Sequence, residues 1–442
     1  MRTIKHAVIS TAFLAFMAGS PGAALAANSA AIDWSQVPTK TVKLFFPGQS
    51  SYQWLRSPAH KRAYRKTLAG DSCVSCHEDE EQEIGQAIVS GEKLEPHPIA
   101  GKQAVIDLAV QAAHDSDNLY LRFRWKTRNP YPGTAHPHRR FDGKAWQKIG
   151  WPRLHKKVWG EGQPAIYEDR LSMMIDDGTV PMFAEQGCWL SCHDGMRDMP
   201  KLAKTADVKA HPFLGKVLKK KDVRKYLPSS RTDKDATWNK TKSVDEIAKI
   251  KAAGGFVDLM QWRGHRSRPV GMTDDGYVLQ YRLFDAGKKM FSGNWDKKAK
   301  QPKYMFDAKK VGFRSKTMDQ IRDTLKPSSL VVGENAVKFD PKAGWKKGDM
   351  LPQYYLTRAV KGSAGDNTDV KGTWENGMWT VVWVRKLDTG HPEDDKIMKV
   401  GGVYTVGLAV HDDNITTRGH HVSWPLSLGI GVKAEIQATT LK

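Results

Sequence analysis

Two short stretches hold the side chains best suited to chemistry. Cys73-Val-Ser-Cys76-His77 places two thiols around a two-residue gap with an imidazole directly after them. Cys188-Trp-Leu-Ser-Cys192-His193 repeats the order with three residues in the gap. The chain has four cysteines, and these stretches use all of them. A C-x-x-C-H run is the attachment sequence of c-type haem. Its thiols add to the two vinyl groups of the porphyrin, and the adjoining imidazole ligates the iron. The pattern predicts two covalently bound haem c groups, attached at Cys73, Cys76, Cys188 and Cys192, with His77 and His193 as proximal iron ligands. A thioredoxin-like redox pair competes at the first stretch, but it needs a βαβ setting and has no use for His77. At the wider second pair the competitors are a structural disulfide and a zinc site assembled from both segments.

The fifteen histidines also offer distal ligands. For the first haem His60 is the expected one, because it projects from a helix predicted just before the motif; His97 and His114 are rivals. His136, His138 and His155 lie in proline- and charge-rich loops and read as ordinary residues. His420 and His421 could cap a haem, with a structural role as the alternative.

The elements that position these groups follow from the rest of the chain. Residues 1–26 read as a secretory leader: Arg2 and Lys5, an apolar run from Ala7 to Met17, and Ala24-Leu-Ala26 as a cleavage site. That run is too short to span a bilayer. An exported protein with no integral membrane segment follows, periplasmic in a bacterium. The formal charge is +21, two units of it in the leader, which favours acidic partner surfaces. Export argues against nucleic acid. Residues 27–102 read as a small, partly helical c-type haem module, with a strand at 42–46, a helix from Ser57-Pro58 to Gly70 and an acidic run, Glu78-Asp-Glu-Glu-Gln-Glu83. From residue 103 the period becomes that of strands. Residues 106–114 and 119–125 form a predicted hairpin across Asp115-Ser-Asp-Asn118, and strands are expected at 255–262, 277–283, 379–386, 404–410 and 421–431. Long loops with short helices are expected at 127–165, 195–250 and 286–350, including a helix at 243–253. The fold class is mainly β, an antiparallel sandwich over 103–442.

Tyr167-Glu-Asp-Arg170, the 186–200 segment, Gln261-Trp-Arg-Gly-His-Arg-Ser267, Trp379-Thr-Val-Val-Trp-Val-Arg-Lys386, Val403-Tyr-Thr-Val-Gly-Leu-Ala409 and Arg418-Gly-His-His-Val422 resemble the ethylbenzene dehydrogenase-related family. Its members are similar to haem-carrying gamma subunits of molybdenum enzymes of the dimethyl-sulfoxide-reductase group. The resemblance implies a sandwich of carbohydrate-binding-module type adapted to hold haem. In those subunits a methionine and a lysine hold a non-covalent haem. Here the lysine block reads Met260-Gln-Trp-Arg263, and arginine has no lone pair to give iron. His265, two residues on and expected on the same strand face, is the first choice as distal ligand of the second haem; Met260 and Met272 follow. The function expected is one-electron transfer between redox proteins. The alternatives are a haem enzyme with one open iron and a non-catalytic electron-transfer or sensor subunit of a larger complex.

Overall fold

The computed structural model describes residues 32–322 and 327–441; the leader expected at 1–26 lies outside them. Thirteen strands make the main sheet. In chain order they are β1 (Thr39–Phe45), β2 (Val105–His114), β3 (Asn118–Lys126), β4 (Arg170–Asp176), β5 (Val257–Arg263), β6 (Gly276–Val278), β7 (Arg282–Phe284), β8 (Val370–Glu375), β9 (Met378–Lys386), β10 (Val403–His411), β11 (His421–Val422), β12 (Leu426–Ile430) and β13 (Ile436–Thr440). Their order across the sheet is β8-β9-β3-β2-β1-β11-β10-β4-β5-β6-β7, and β12 and β13 join β10 to β2 a second time. The predicted hairpin is β2–β3, closed by the Asp115 carboxylate, which accepts from the Asp117 and Asn118 amides at 2.8 and 2.7 Å.

Alternation along these strands sends one set of side chains to a common core. Leu44, Leu108, Phe123, Met173, Val406 and Trp383 are all buried in it. The sheet curls on itself: Trp262 of β5 meets Trp125 of β3 and Trp379 of β9 at ring separations of 6.1 and 4.9 Å, although these strands are far apart in sheet order. All thirteen strands are therefore hydrogen-bonded into one connected, mainly antiparallel sheet around an apolar interior.

The described part of the segment expected as a haem module, residues 32–102, contributes to that sheet directly. β1 lies between β2 and β11. The helix expected from Pro58 to Gly70 forms in two pieces, a 3₁₀ turn Pro58–His60 and an α-helix Ala63–Ala69, because Lys61 between them sits at φ 52°. Gly70, at φ 94°, ends the second piece as a left-handed cap. The acidic run enters a helix, Glu81–Val89. The helix expected at 243–253 is Val244–Ala252, started by a capping box of Ser243 and Glu246. Short strands interrupt the expected loops, as where Tyr304–Phe306 pairs with Ala336–Lys338. Among the described residues no helix is long and apolar enough to cross a membrane.

Candidate functional site

The first motif opens a cavity of about 940 Å³ whose wall includes Cys73, Cys76, His77, His60, Ile84 and Trp424. Local helix geometry explains the convergence. Cys73 caps the short helix Val74–His77 with helical backbone angles. Residues three and four apart on a helix share a face, so Cys76 and His77 lie with Cys73 on the cavity side. His77 presents Nδ1 to the Glu80 carboxylate at 2.8 Å, and His60 donates from Nδ1 to the Leu55 carbonyl at 3.0 Å. Neither Nε2 has a hydrogen-bond partner, and the ring centroids are 6.1 Å apart. That separation leaves room for one metal ion between two imidazoles at bonds of about 2 Å. Anchoring one ring nitrogen to orient the other is how ligating histidines are held. Burial lowers the His60 pKa, which keeps the ring in its neutral, ligating form. Burial raises the Cys73 thiol to about 11, against the opposing pull of Arg56. Phe45, Trp189 and Trp424 close the cavity, with neighbouring rings 4.6–5.5 Å apart. The residues present fit a bis-histidine haem. The rivals lie elsewhere: His97 stacks on Trp159 at 4.3 Å, and His114 is bonded to the Asp115 carbonyl and Thr440.

Cys188 and Cys192 line a second cavity of about 790 Å³. Its floor is a sheet face. In register across three neighbouring strands lie His411, Arg170 and Arg263; then Ala409, Ser172 and Gln261; then Gly407, Met174 and Leu259. The two-residue period of β10, β4 and β5 puts all nine on one side. Gly407 is where the motif touches the floor: a Cβ there would lie 2.9 Å from the Cys188 sulfur. Both thiols are free in this structure.

Seven arginines and four lysines line this cavity, with no aspartate or glutamate among them. Carboxylates behind the wall orient the arginines: Asp222 holds Arg197 and Arg224, Glu95 holds Arg418, and Glu168 and Asp274 serve the other four. Glu168 takes Arg266 at 2.7 Å and lies 3.4 Å from Arg170, while Asp274 pairs with Arg263 and with Arg282 at 3.0 Å. Burial opposes ionisation of Glu168, but Arg266, Arg170 and Arg263 overcome it and hold the carboxyl at about 2. Four guanidinium groups against two carboxylates leave a positive excess, and Arg170 keeps Nε and Nη2 buried without hydrogen-bond partners. Tyr167 feels the same excess. Burial disfavours its phenolate, but Arg170 and Arg266 bring the phenol down to about 7. A group with carboxylates of its own, as haem has, fits this donor set.

His193 is buried but is absent from this wall. Its Nε2 donates to the Tyr226 carbonyl at 2.9 Å and its Nδ1 accepts from Gln53 at 3.1 Å, with the ring stacked 3.7 Å from that of Tyr226. The cause is local. Gly187–Ser191 is a 3₁₀ helix, and Cys192 beyond it is extended at φ −104°, ψ 116°, so the next residue turns away. His265 is also off the wall. β5 ends at Arg263, so strand alternation stops before His265. The His265 Nδ1 is bonded to the Thr134 carbonyl at 2.9 Å and its ring packs on His136 and His138. Met260 points into the core, and Met272 is not on the wall.

The imidazoles that do line the second cavity are His136, His411 and His420. Both His136 nitrogens are buried without partners. His420 is anchored through Nδ1 to the Thr417 carbonyl, as His60 is to Leu55, and its Nε2 is without a partner. Burial lowers the pKa values of all three, that of His420 to about 3, so they stay neutral. His411 was legible in principle from its alternation with Gly407 and Ala409. His136 had no local signal.

The two sites share a wall. Trp189 faces the first cavity while its neighbour Cys188 faces the second. Main-chain bonds join the motifs, from the Cys73 amide to the Glu185 carbonyl at 3.1 Å and from the Tyr52 amide to the Cys192 carbonyl at 2.6 Å.

A family model described as ethylbenzene dehydrogenase matches residues 31–423. The chain is 27% identical to a cytochrome c-552 of Stutzerimonas stutzeri over 436 residues, 98% of this chain and 99% of that protein. It is 28% identical to a cytochrome c-551 of Rhodocyclus tenuis over 172 residues, 38% of this chain and 58% of the relative.

Proposed function

Because this chain belongs to the ethylbenzene dehydrogenase family, we propose that it is an exported cytochrome with two covalent c-type haems, which passes single electrons between protein partners. The observation that carries the reading is the shared wall, with Trp189 on one cavity and Cys188 on the other. Cofactors bound back to back across one indole suit electron passage better than two separate chemistries. Haem supplies a one-electron couple whose potential is tuned by its axial ligands and burial. In the first cavity Cys73 and Cys76 would attach the group and His77 and His60 would both hold its iron, a ligand set that would leave a substrate no position. In the second, Cys188 and Cys192 attach the group, and Arg170 and Arg266 take its carboxylates. His420, with its anchored ring and unpartnered Nε2, would hold the iron in place of His193. The two relatives, both named as c-type cytochromes, support the reading. Export rests on the leader at 1–26, and acidic docking partners rest on the charge of +21, still strongly positive once the leader's two units are removed.

The test is the intact mass of the denatured protein after expression with haem-maturation machinery. Two added haems are expected; one or none overturns the assignment. A second reading rests on the cationic excess and Tyr167: an open iron in the second cavity acting on a small oxyanion. Carbon monoxide decides between them. Spectra unchanged by the gas support a carrier, whereas binding at one haem supports the enzyme.

A further inference from the structure

Away from both cavities, the back of β5 and the links beside it gather carboxylates with little to balance them. Asp258 of β5, Asp275 just before β6 and Asp395 on the link between β9 and β10 each bring an oxygen within 4.8 Å of the other two. All three residues are at most 2% exposed. Asp285 and Asp366 stand close enough to raise the Asp275 pKa further.

The hydrogen bonding is incomplete where it should be complete. Arg385 meets one Asp258 oxygen at 2.7 Å, and Asn367 donates to one Asp275 oxygen. The other Asp258 oxygen is buried with no partner, and the buried Asp395 carboxylate has only the Thr389 hydroxyl near it. Lys396, the nearest lysine in sequence, is committed to Asp177 at 2.6 Å and Asp176 at 3.4 Å. Buried acceptors without donors are costly and rare in native proteins. Among the described residues Arg385 is the one guanidinium hydrogen-bonded to any of these five carboxylates, with Lys396 and Arg282 acting from farther off. These are too few for all five to be ionised unless another cation joins them. Accordingly, burial and then mutual repulsion push Asp285 up to about 10 and Asp395 to about 8.

We propose that Asp258, Asp275 and Asp395 bind a divalent cation of the calcium type, a site separate from the haem assignment. The donors are oxygens throughout, which selects a hard cation. Calcium accepts six to eight oxygens in irregular arrangements, whereas magnesium demands a regular octahedron and keeps its waters. A crowded, buried carboxylate set suits the former. Asp258 shares β5 with Gln261 and Arg263, and Asp275 follows Asp274, which holds Arg263 and Arg282. The ion would tie β5 to the β6 link and to the loop carrying Asp395, and so brace one wall of the second cavity.

The haem-loaded, purified chain tests this by metal analysis after dialysis, and by melting with chelator and then with calcium at about 1 mM. One bound calcium per chain is expected, with a fall of Tm by roughly 2–5 °C on chelation that added calcium restores. Asp395→Asn should bind less calcium and lose the Tm response while melting above the chelated parent, since it removes a repelling charge. A chain with no divalent ion, and with a Tm indifferent to chelator and calcium, overturns the proposal. So does Asp395→Asn with the full calcium response. Because the chelation arm uses the unsubstituted protein, a variant that fails to fold does not remove the test.

Discussion

The two cavities receive the same kind of motif and treat it differently. In the first, the motif is a helical turn. Two thiols and an imidazole share one face, Glu80 orients the imidazole, and a second anchored imidazole stands 6.1 Å away. In the second, the extra residue falls on a 3₁₀ helix that ends before Cys192. The thiols reach the cavity, but His193 is absorbed by Gln53 and Tyr226, and imidazoles from distant strands and loops face the space instead. The surroundings differ as well. The first cavity is closed by aromatic rings, the second by a sheet face whose arginines and lysines outnumber the carboxylates behind them. The same order of residues thus brings its thiols to a cavity in both places, but it brings its own imidazole there only where the backbone stays helical.

Substituting the ligands should separate the two cases most sharply. His60→Ala should turn the first haem high-spin and open it to carbon monoxide, and His420→Ala should change the spectrum of the second haem alone. His193→Ala should leave both spectra unchanged and lower stability by about 1–3 kcal/mol, the cost of leaving its buried partners unsatisfied. If His193→Ala opens an iron, the asymmetry between the cavities is broken and the motif histidine ligates in both.

A smaller effect is expected at the floor of the second cavity. Gly407→Ala would place a Cβ 2.9 Å from the Cys188 sulfur, a contact tight enough to displace the thiol. Part of the population should then lack one haem by intact mass, with the first haem's spectrum unchanged. Full loading of both sites would show that the thiol can move without loss.

Tyr167 tests the electrostatic contrast. Its phenol is brought to about 7 by the arginines around it, against the opposing effect of burial. Deprotonation adds negative charge and favours oxidised iron, so the second potential should fall as pH rises through about 7 while the first is unaffected. Tyr167→Phe should flatten that step in a spectroelectrochemical titration; a step that survives belongs to another group.

The smallest effect concerns the outer surface. Exposed charges are screened over about 10 Å at 0.1 M salt, and the chain carries +21, all but two units of it outside the leader. Electron transfer to an acidic acceptor should slow several-fold as salt rises from low ionic strength. An unchanged rate would mean that docking does not depend on the positive surface.

Much of this protein is written locally. Period-two alternation yields β2, β3, β9 and β10; Ser243 and Glu246 start their helix; and Cys73, Cys76 and His77 fall on one helical face because three- and four-residue spacings do so. His60 was readable as a neighbour of that motif because only a short turn and helix separate them. The sequence did not reveal that β1 enters the main sheet between β2 and β11, that His265 lies past the end of its strand, or that His420 faces the second cavity. The arginines around Glu168 and Asp274 and the aspartates around Asp258 come from segments far apart in the chain. Spacing along the backbone decides which side chains share a face of one element. Which faces then meet, and which charges are buried together, depends on pairings between distant strands that leave no mark on neighbouring residues.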